Sequence, residues 1–311
     1  MKKFSLSTLI SYLLSASLFF ACIFYALPSY RQKRERSGAR CIRLWHVDTF
    51  EGGMGSRGQF LKKIAGEFEK KQGGIVLLTV HTVEGIEEEL KKGNYPDLLS
   101  FGVGVFPPIE KCKTSLDGKV FTTWCKGGYA LYAKTEDFTM VEGGNTVLSI
   151  GGKNLAEIPA LFLGLEGAKR EDSVSAYVHF LQGKYRYLLG TQRDYFRFLK
   201  RGERVYFSPL YCYCDLSQYI CILSSEEVKH SQKFVEYLMK KSSQERLTEI
   251  GMFSEKYRGA EGELSPFQAQ EIEYILPPYA SEEGIQKLKE GIEKGNLDLL
   301  KKFLKQGEIS L

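Results

Sequence analysis

A chain of 311 residues is long enough for two hydrophobic cores, because single domains usually hold about 50 to 250 residues. Its formal charge of +5 comes from 43 basic and 38 acidic residues, and no basic stripe interleaved with aromatics stands out, which argues against nucleic acid as a partner. Four histidines at no metal-motif spacing, and a Cys212-Tyr213-Cys214 that lacks the two-residue spacer of zinc and redox pairs, argue against a metal or cofactor.

Lys2 and Lys3 precede residues 5 to 28, a run without charge that at ~1.5 Å per helical residue is long enough to cross a hydrocarbon layer. It is an export signal or a membrane anchor and stands outside the fold. No A-x-A-like site closes the run, RQKRER follows at 31 to 36, and the two phenylalanines before Ala21 fit lipid attachment at Cys22 poorly. We therefore expect an uncleaved tether, with the rest of the chain on the extracytoplasmic face of the cell membrane. The basic residues beyond the run oppose that orientation, and a cytoplasmic domain behind a reversed anchor is the alternative. Cys41, Cys112, Cys125, Cys212, Cys214 and Cys221 lie outside the anchor, which allows three disulfides and requires none.

Residues 1–38 thus form the leader and a charged linker. CIRLWHV, 41 to 47, reads as a strand ending near Asp48. After a glycine-rich loop, Ser56 with Gln59 forms a capping box, and Phe60, Ile64 and Phe68 make the buried stripe of a helix that Gly73 and Gly74 end. IVLLTV, 75 to 80, is a continuous apolar run of the sort that parallel strands covered on both faces show. GIEEELKKGNY predicts a short helix and DLLSFG, 97 to 102, the next strand. This β-α-β-α-β order implies a sheet with right-handed crossovers, whose functional loops follow the carboxyl ends of its strands.

The pattern then changes. VFTTWCKGGYALYAK, 120 to 134, is extended chain broken by Gly127 and Gly128, as suits a crossing between lobes. Beyond it we expect a strand at 147 to 150, a helix at about 171 to 182, a strand at 185 to 190, a helix across RDYFRFLK and a strand at 204 to 210. CDLSQYICIL, 214 to 223, is a second extended passage, able to return to the first lobe. A helix begun by Ser224 with Glu227, carrying Val228, Val235 and Leu238 inward, and a further box at Ser242 and Glu245 follow before Gly251. Helices starting at Ser265, Ser281 and Asn296 complete the tail. The resulting organisation is 39–124 with 216–258 as lobe 1, 125–215 as lobe 2, and 259–311 as a helical tail packing on the lobes.

Gly53-Met-Gly-Ser-Arg-Gly58 satisfies the dinucleotide pattern G-x-G-x-x-G literally. Five residues separate Val47 from Gly53, however, and the next strand ends in Thr79, Val80 and His81 without the acid that would take a ribose. What remains is a helix N-terminus with free N–H groups, Arg57 at its mouth, and Asp48 and Glu51 before it. Such a set suits hydroxyl, carboxylate or phosphate groups of a small solute; equally, Arg57 can pair with an acid such as Glu51. LLGTQRD, 188 to 194, repeats the arrangement, with Thr191 as N-cap, Asp194 at the N3 position of its box, and Gln192 and Arg193 near the helix start. Two such corners on two lobes make a cleft able to close on a ligand.

The stretches WHVDTFEGGMGSRGQFLKKIAGEFEKKQGGI, PDLLSFG, TTWCKGGY, GTQRD, RGE and YLMKKSSQERLTEIGMFS together resemble the extracellular solute-binding proteins of ABC importers, in a clostridial, sugar-binding-like branch, over roughly residues 40 to 255. The resemblance implies an α/β, two-lobed periplasmic-binding-protein-like fold of type II with crossover hinge strands, a bound saccharide or related polar solute, no reaction, and a transmembrane permease with its ATPase as partner. Carried over residue by residue, it makes Asp48, Glu51, Ser56 and Arg57 candidates in lobe 1, Trp124 and Tyr129 at the crossing, Thr191, Gln192, Arg193 and Asp194 in lobe 2, and Asp215 near the return crossing. Thr123 stands where the family-like form has proline, and YCYC at 211 to 214 replaces an expected glycine-rich passage; both departures loosen any inference about the solute.

Trp124 and Tyr129 are as readily core residues as stacking platforms, and His46 and His81 end strands as ordinary satisfied side chains. The chain has no G-x-S-x-G elbow, H-E-x-x-H or Walker sequence. The expectation is a monomeric, non-enzymatic receptor. A membrane-tethered carbohydrate-active hydrolase with paired carboxylates, Asp48 and Asp194 being the nominees, and a sensory binding module are the alternatives.

Overall fold

The computed structural model describes residues 14–20, 40–47, 56–151, 154–223, 228–257, 264–268, 271–276 and 282–306. Two five-stranded sheets organise it. The first contains β1 (Cys41–Val47), β2 (Ile75–His81), β3 (Leu98–Gly102), β4 (Phe121–Lys126) and β11 (Ser217–Ile222), in the order β2-β1-β3-β11-β4. The second contains β5 (Tyr129–Ala133), β6 (Thr146–Ile150), β7 (Lys169–Asp172), β8 (Tyr187–Thr191) and β9 (Tyr206–Leu210), in the order β7-β6-β8-β5-β9. β1 pairs in parallel with β2 and β3, whereas β11 runs antiparallel between β3 and β4. A strand from the second half of the chain therefore sits inside the sheet begun by the first half.

Helix α1 (Arg57–Gln72) covers the first sheet. Ser56 caps it by accepting from the Gln59 N–H at 3.1 Å, and Phe60, Ile64 and Phe68 are buried with Ile42, Leu44, Trp124, Ile220 and Phe234 in one cluster. Gly73 ends the helix at φ 71° and ψ −179°, a positive-φ conformation that favours glycine. α2 (Val83–Lys91) joins β2 to β3, and α6 (Val228–Leu238) follows β11 with Val235 and Leu238 buried. Its predicted start at Ser224 and Glu227 lies outside the described residues.

On the second sheet the expected helix at 171 to 182 is α4 (Ser173–Leu181), preceded by the short strand β7. Asp172 caps α4 by accepting from the N–H groups of Val174 and Ser175. α5 (Gln192–Arg201) follows β8 without an intervening loop, and α3 (Glu157–Phe162) lies between β6 and β7. The tail strand β12 (Tyr274–Ile275) pairs with β10 (Tyr213–Cys214). The helices α8 (Glu282–Glu293) and α9 (Leu297–Gln306) bring Ile285, Leu288, Ile292 and Leu300 into a core shared with Tyr129, Tyr187 and Leu189 of the second sheet.

Three expectations need correction. The helix expected from Ser265 is a 3-10 turn over Ser265–Gln268, Pro266 leaving no N–H to extend it backward. β2 is an edge strand with only β1 beside it, so Ile75, Leu77 and Val80 are 43%, 53% and 47% exposed; an apolar run does not by itself tell an edge from a centre. Ser242 and Glu245 form no capping box. Lys240 precedes α7 (Lys241–Gln244), the chain tightens into a 3-10 turn over Glu245–Ile250, and the neighbouring Ser243 hydroxyl donates instead to the Tyr237 carbonyl. Gly251 then ends the segment at φ 68°.

Among the described residues no helix is long and apolar enough to cross a membrane. Of the run 5 to 28, residues 14–20 are described; they are helical, with Leu14, Leu18, Phe19 and Phe20 exposed.

Candidate functional site

Each sheet presents the strand-to-helix corner expected from the sequence, β1 to α1 in the first and β8 to α5 in the second. In the first, β1 ends at Val47 and α1 starts after Ser56, with Asp48 and Glu51 in the connection, which lies outside the described residues. Ser56 and Arg57 are buried at the helix start. Beneath them His46, in register with Ser100 on the neighbouring parallel strand, places Nδ1 3.0 Å from the Ser100 hydroxyl. That hydroxyl also accepts from Trp124 Nε1 at 3.1 Å. Nε2 of His46 is buried and meets no hydrogen-bond partner among the described residues. Burial first, and the Arg57 charge second, push the His46 pKa down to about 3, so the imidazole is neutral at physiological pH. His46 and Ser100 are thus site residues missed at the sequence level; their positions near the carboxyl ends of adjacent parallel strands were the available signal.

The second corner is tighter. Thr191 caps α5 by accepting from the Arg193 N–H, and Asp194 completes the box by accepting from the Thr191 N–H at 2.9 Å. The other Asp194 oxygen accepts from Arg197 at 3.0 Å. Gln192 reaches across to the first lobe: its Oε1 accepts from the Gly128 N–H at 2.8 Å, and its Nε2 donates to the Gly251 carbonyl at 3.1 Å and lies 3.0 Å from Met252 Sδ. Arg193 donates to the Ile250 carbonyl and lies over the Phe196 ring. Ile250 and Met252 belong to the same core as Trp124 and Phe60, whereas Phe253 packs with Tyr132 and Phe198 of the second lobe. An antiparallel bridge between Lys126 and Phe253 fixes this junction. The 250–253 segment therefore joins the lobes beside the 126–129 crossing.

The aromatic pair predicted at the crossing is divided between two cores. Trp124 is fully buried, stacked on Phe60 at 5.9 Å with its ring planes 10° apart. Tyr129 is fully buried at the start of β5, stacks on Tyr213 and donates to Asp215 at 2.7 Å. Neither ring offers a free face to a solute in this structure, because helix α1 covers the first and the β10 segment the second. Asp215 also accepts from the Leu155 N–H at 2.6 Å, and burial raises its pKa to about 6 against those two stabilising hydrogen bonds. The structure thus brings together Thr191, Gln192, Arg193 and Asp194 at one corner and Ser56, Arg57 and His46 at the other, and places Tyr129 and Asp215 in a separate, third group.

A cavity of about 360 Å³ opens elsewhere on the second lobe, between α3, β7 and the end of α8, with Glu157, Arg170 and Lys294 in its wall. None of the residues predicted from sequence lines it. Among the described residues no group of three or more His, Cys, Asp or Glu side chains is placed to hold a metal ion.

No family model matches the chain, and no curated protein matches it in sequence. Solved structures do match. A putative extracellular solute-binding protein from Bordetella parapertussis aligns with a TM-score of 0.57 at 10% identity, over 84% of this chain and 98% of the other. The GacH receptor of Streptomyces glaucescens GLA.O, known unliganded and in complex with acarbose, gives 0.52 at 13% identity over 86% and 99%. AgtB, a PBP from A. tumefaciens R10 in complex with agropinic acid, gives 0.51 at 11% identity over 84% and 99%. With its two sheets, its intercalated β11 and its strand-to-helix corners, the chain has the two-lobed, type II periplasmic-binding-protein-like fold.

Proposed function

We propose that the chain is an extracytoplasmic receptor that captures a small polar solute between its lobes and delivers it to the permease of an ABC transporter. The observation that carries this reading is the pair of corners: two helix N-termini from two sheets, each with a buried arginine, Arg57 and Arg193, the second of them bonded to the 250–253 segment that joins the lobes. Helix N-termini and guanidinium forks are suited to oxygen-rich solutes. The corner residues Asp48, Glu51, Ser56, Arg57, Thr191, Gln192 and Arg193 are its contacts in this proposal, and opening of the lobes frees Gln192 and Arg193 from the 250–252 backbone. A saccharide is the solute class we favour, with the N-terminal run as membrane tether and a monomer as the working unit. Of the proteins of similar fold, one is described in complex with acarbose and another in complex with agropinic acid, so sugars and acids both belong in the test.

The experiment is a thermal-shift screen of the full chain against neutral sugars, acidic sugars and organic anions, followed by titration calorimetry on any hit with wild type and Arg57→Ala. A hit weakened at least tenfold by the substitution supports the receptor. A silent screen, or a hit indifferent to Arg57→Ala and Arg193→Ala, removes it. The hydrolase alternative finds less support, since both oxygens of Asp194 are engaged in capping α5 and pairing Arg197.

A further inference from the structure

Cys112 and Cys221 come from distant parts of the sequence and meet on the first lobe. Cys112 closes a short 3-10 turn, Ile109–Lys111, in the connection between β3 and β4; Cys221 lies on β11, the strand that sits between those two. Lys113 and Ile222 form an isolated antiparallel bridge, with the Lys113 N–H donating to the Ile222 carbonyl at 2.7 Å. Cys112 and Cys221 each stand one residue before that bridge, so alternation turns both side chains to the opposite face as diagonal neighbours. Both thiols pack in the cluster of Val105, Leu99 and Phe101. Cys112 Sγ donates to the Pro108 carbonyl at 3.5 Å, and each thiol shifts the ionisation of the other. Cys112 is half-buried and accessible from solvent, Cys221 is buried, and both are free thiols.

We propose that Cys112 and Cys221 are a redox-convertible pair that closes to a disulfide, cross-linking the β3–β4 connection to the intercalated strand β11. Cys112 is the entry point. The neighbouring Cys221 thiol, held by burial in its protonated form, pulls the Cys112 pKa below that of an ordinary thiol, which raises the thiolate fraction at the accessible sulfur. With a disulfide oxidant such as oxidised glutathione, the Cys112 thiolate attacks one sulfur, forms the mixed disulfide and expels one glutathione thiolate. The Cys221 sulfur, on losing its proton, then attacks Cys112 Sγ and expels the second glutathione thiolate. Two protein thiols are oxidised, one glutathione disulfide is reduced to two thiols, and the proton of each protein thiol passes to solvent or to the departing thiolates. Diagonal Cα positions in an antiparallel pair are roughly 7–8 Å apart and a disulfide prefers somewhat less, so closure draws the 109–112 turn toward the sheet. This inference does not depend on the solute reading.

The test uses the full chain purified under reducing conditions, incubated with oxidised glutathione, quenched with an alkylating agent and digested for mass spectrometry. The expected result is an intact mass lowered by two hydrogens, a cross-linked peptide joining Cys112 to Cys221, and five alkylated thiols, at Cys22, Cys41, Cys125, Cys212 and Cys214. The melting midpoint should rise by roughly 5 °C or more on oxidation, and Cys112→Ser should abolish that rise while leaving the reduced protein's midpoint within about 2 °C of wild type. Glutathione retained on Cys112 with Cys221 still alkylatable after denaturation, a cross-link between any other pair, or no reaction at Cys112 would each overturn the proposal.

Discussion

Gln192, on the first turn of α5 in the second lobe, accepts the Gly128 N–H with its side-chain carbonyl at 2.8 Å while its amide group reaches the Gly251 carbonyl. One side chain thereby satisfies backbone groups on two separate segments that link the lobes. Replacing Gln192 with Ala leaves a buried N–H and a buried carbonyl without these partners, which costs about 2–4 kcal/mol. Urea unfolding monitored by tryptophan fluorescence measures it; a change under 0.5 kcal/mol would show the bridge to be energetically idle.

Gly127 is the steric counterpart of the same contact. A Cβ built there lies 2.5 Å from Oε1 and 2.9 Å from Cδ of Gln192. The amide is the far end of a flexible side chain, but its hydrogen bonds pin it in place, so Gly127→Ala is expected to destabilise by about 1–3 kcal/mol. In the Gln192→Ala background most of that cost should vanish. A double-mutant cycle with zero coupling would contradict the geometry.

Asp215 and His46 give opposite pH signatures. Asp215 has its folded pKa raised to about 6 from 3.8, so its favourable contribution is complete below the unfolded value and is lost as pH rises through that window, on the order of 3 kcal/mol. His46 has its folded pKa lowered to about 3 from 6.5; its contribution is present above the unfolded value and is lost as pH falls toward 3. Between about pH 4 and 6 the two slopes cancel, one proton in each direction. Asp215→Asn should therefore make stability climb with pH across this range, and His46→Gln should make it decline. Denaturant midpoints at half-unit pH intervals distinguish these outcomes; parallel profiles for wild type and both variants would refute the assignment.

Leu77 on β2 is a surface residue despite its apolar setting in the sequence. Leu77→Lys should change stability by less than about 0.5 kcal/mol and lower the tendency of the open edge to self-associate. Light scattering at high protein concentration, together with thermal melts, checks both. A loss of several kcal/mol would mean that the strand is covered on both faces.

Much of the local architecture is legible from the chain itself. Ser56, Thr191 and Asn296 mark helix starts because a side-chain oxygen beside an apolar stripe satisfies N–H groups that the helix leaves open. Phe60, Ile64 and Phe68 recur at the spacing that puts them on one face. The change from one sheet to the other at Gly127 and Gly128 is visible as a break in an extended passage. Polar edge strands such as Lys169–Asp172 carry no such mark, since a strand whose side chains meet water needs no apolar alternation.

Capping and periodicity act over a few residues, so the chain alone specifies the long, strongly periodic helices and the likeness of the corners, but not short elements such as the strand Lys169–Asp172 or the 3-10 turn Ser265–Gln268. Which partners those elements find is a matter of tertiary structure alone. Trp124 goes under α1 and Tyr129 against Asp215 because β4 and β5 enter different sheets, and Gln192 meets Gly251 across 59 residues of chain. No local rule encodes contacts of that separation; they exist because burying two apolar sheets leaves polar backbone at the junction that only a few side chains can reach.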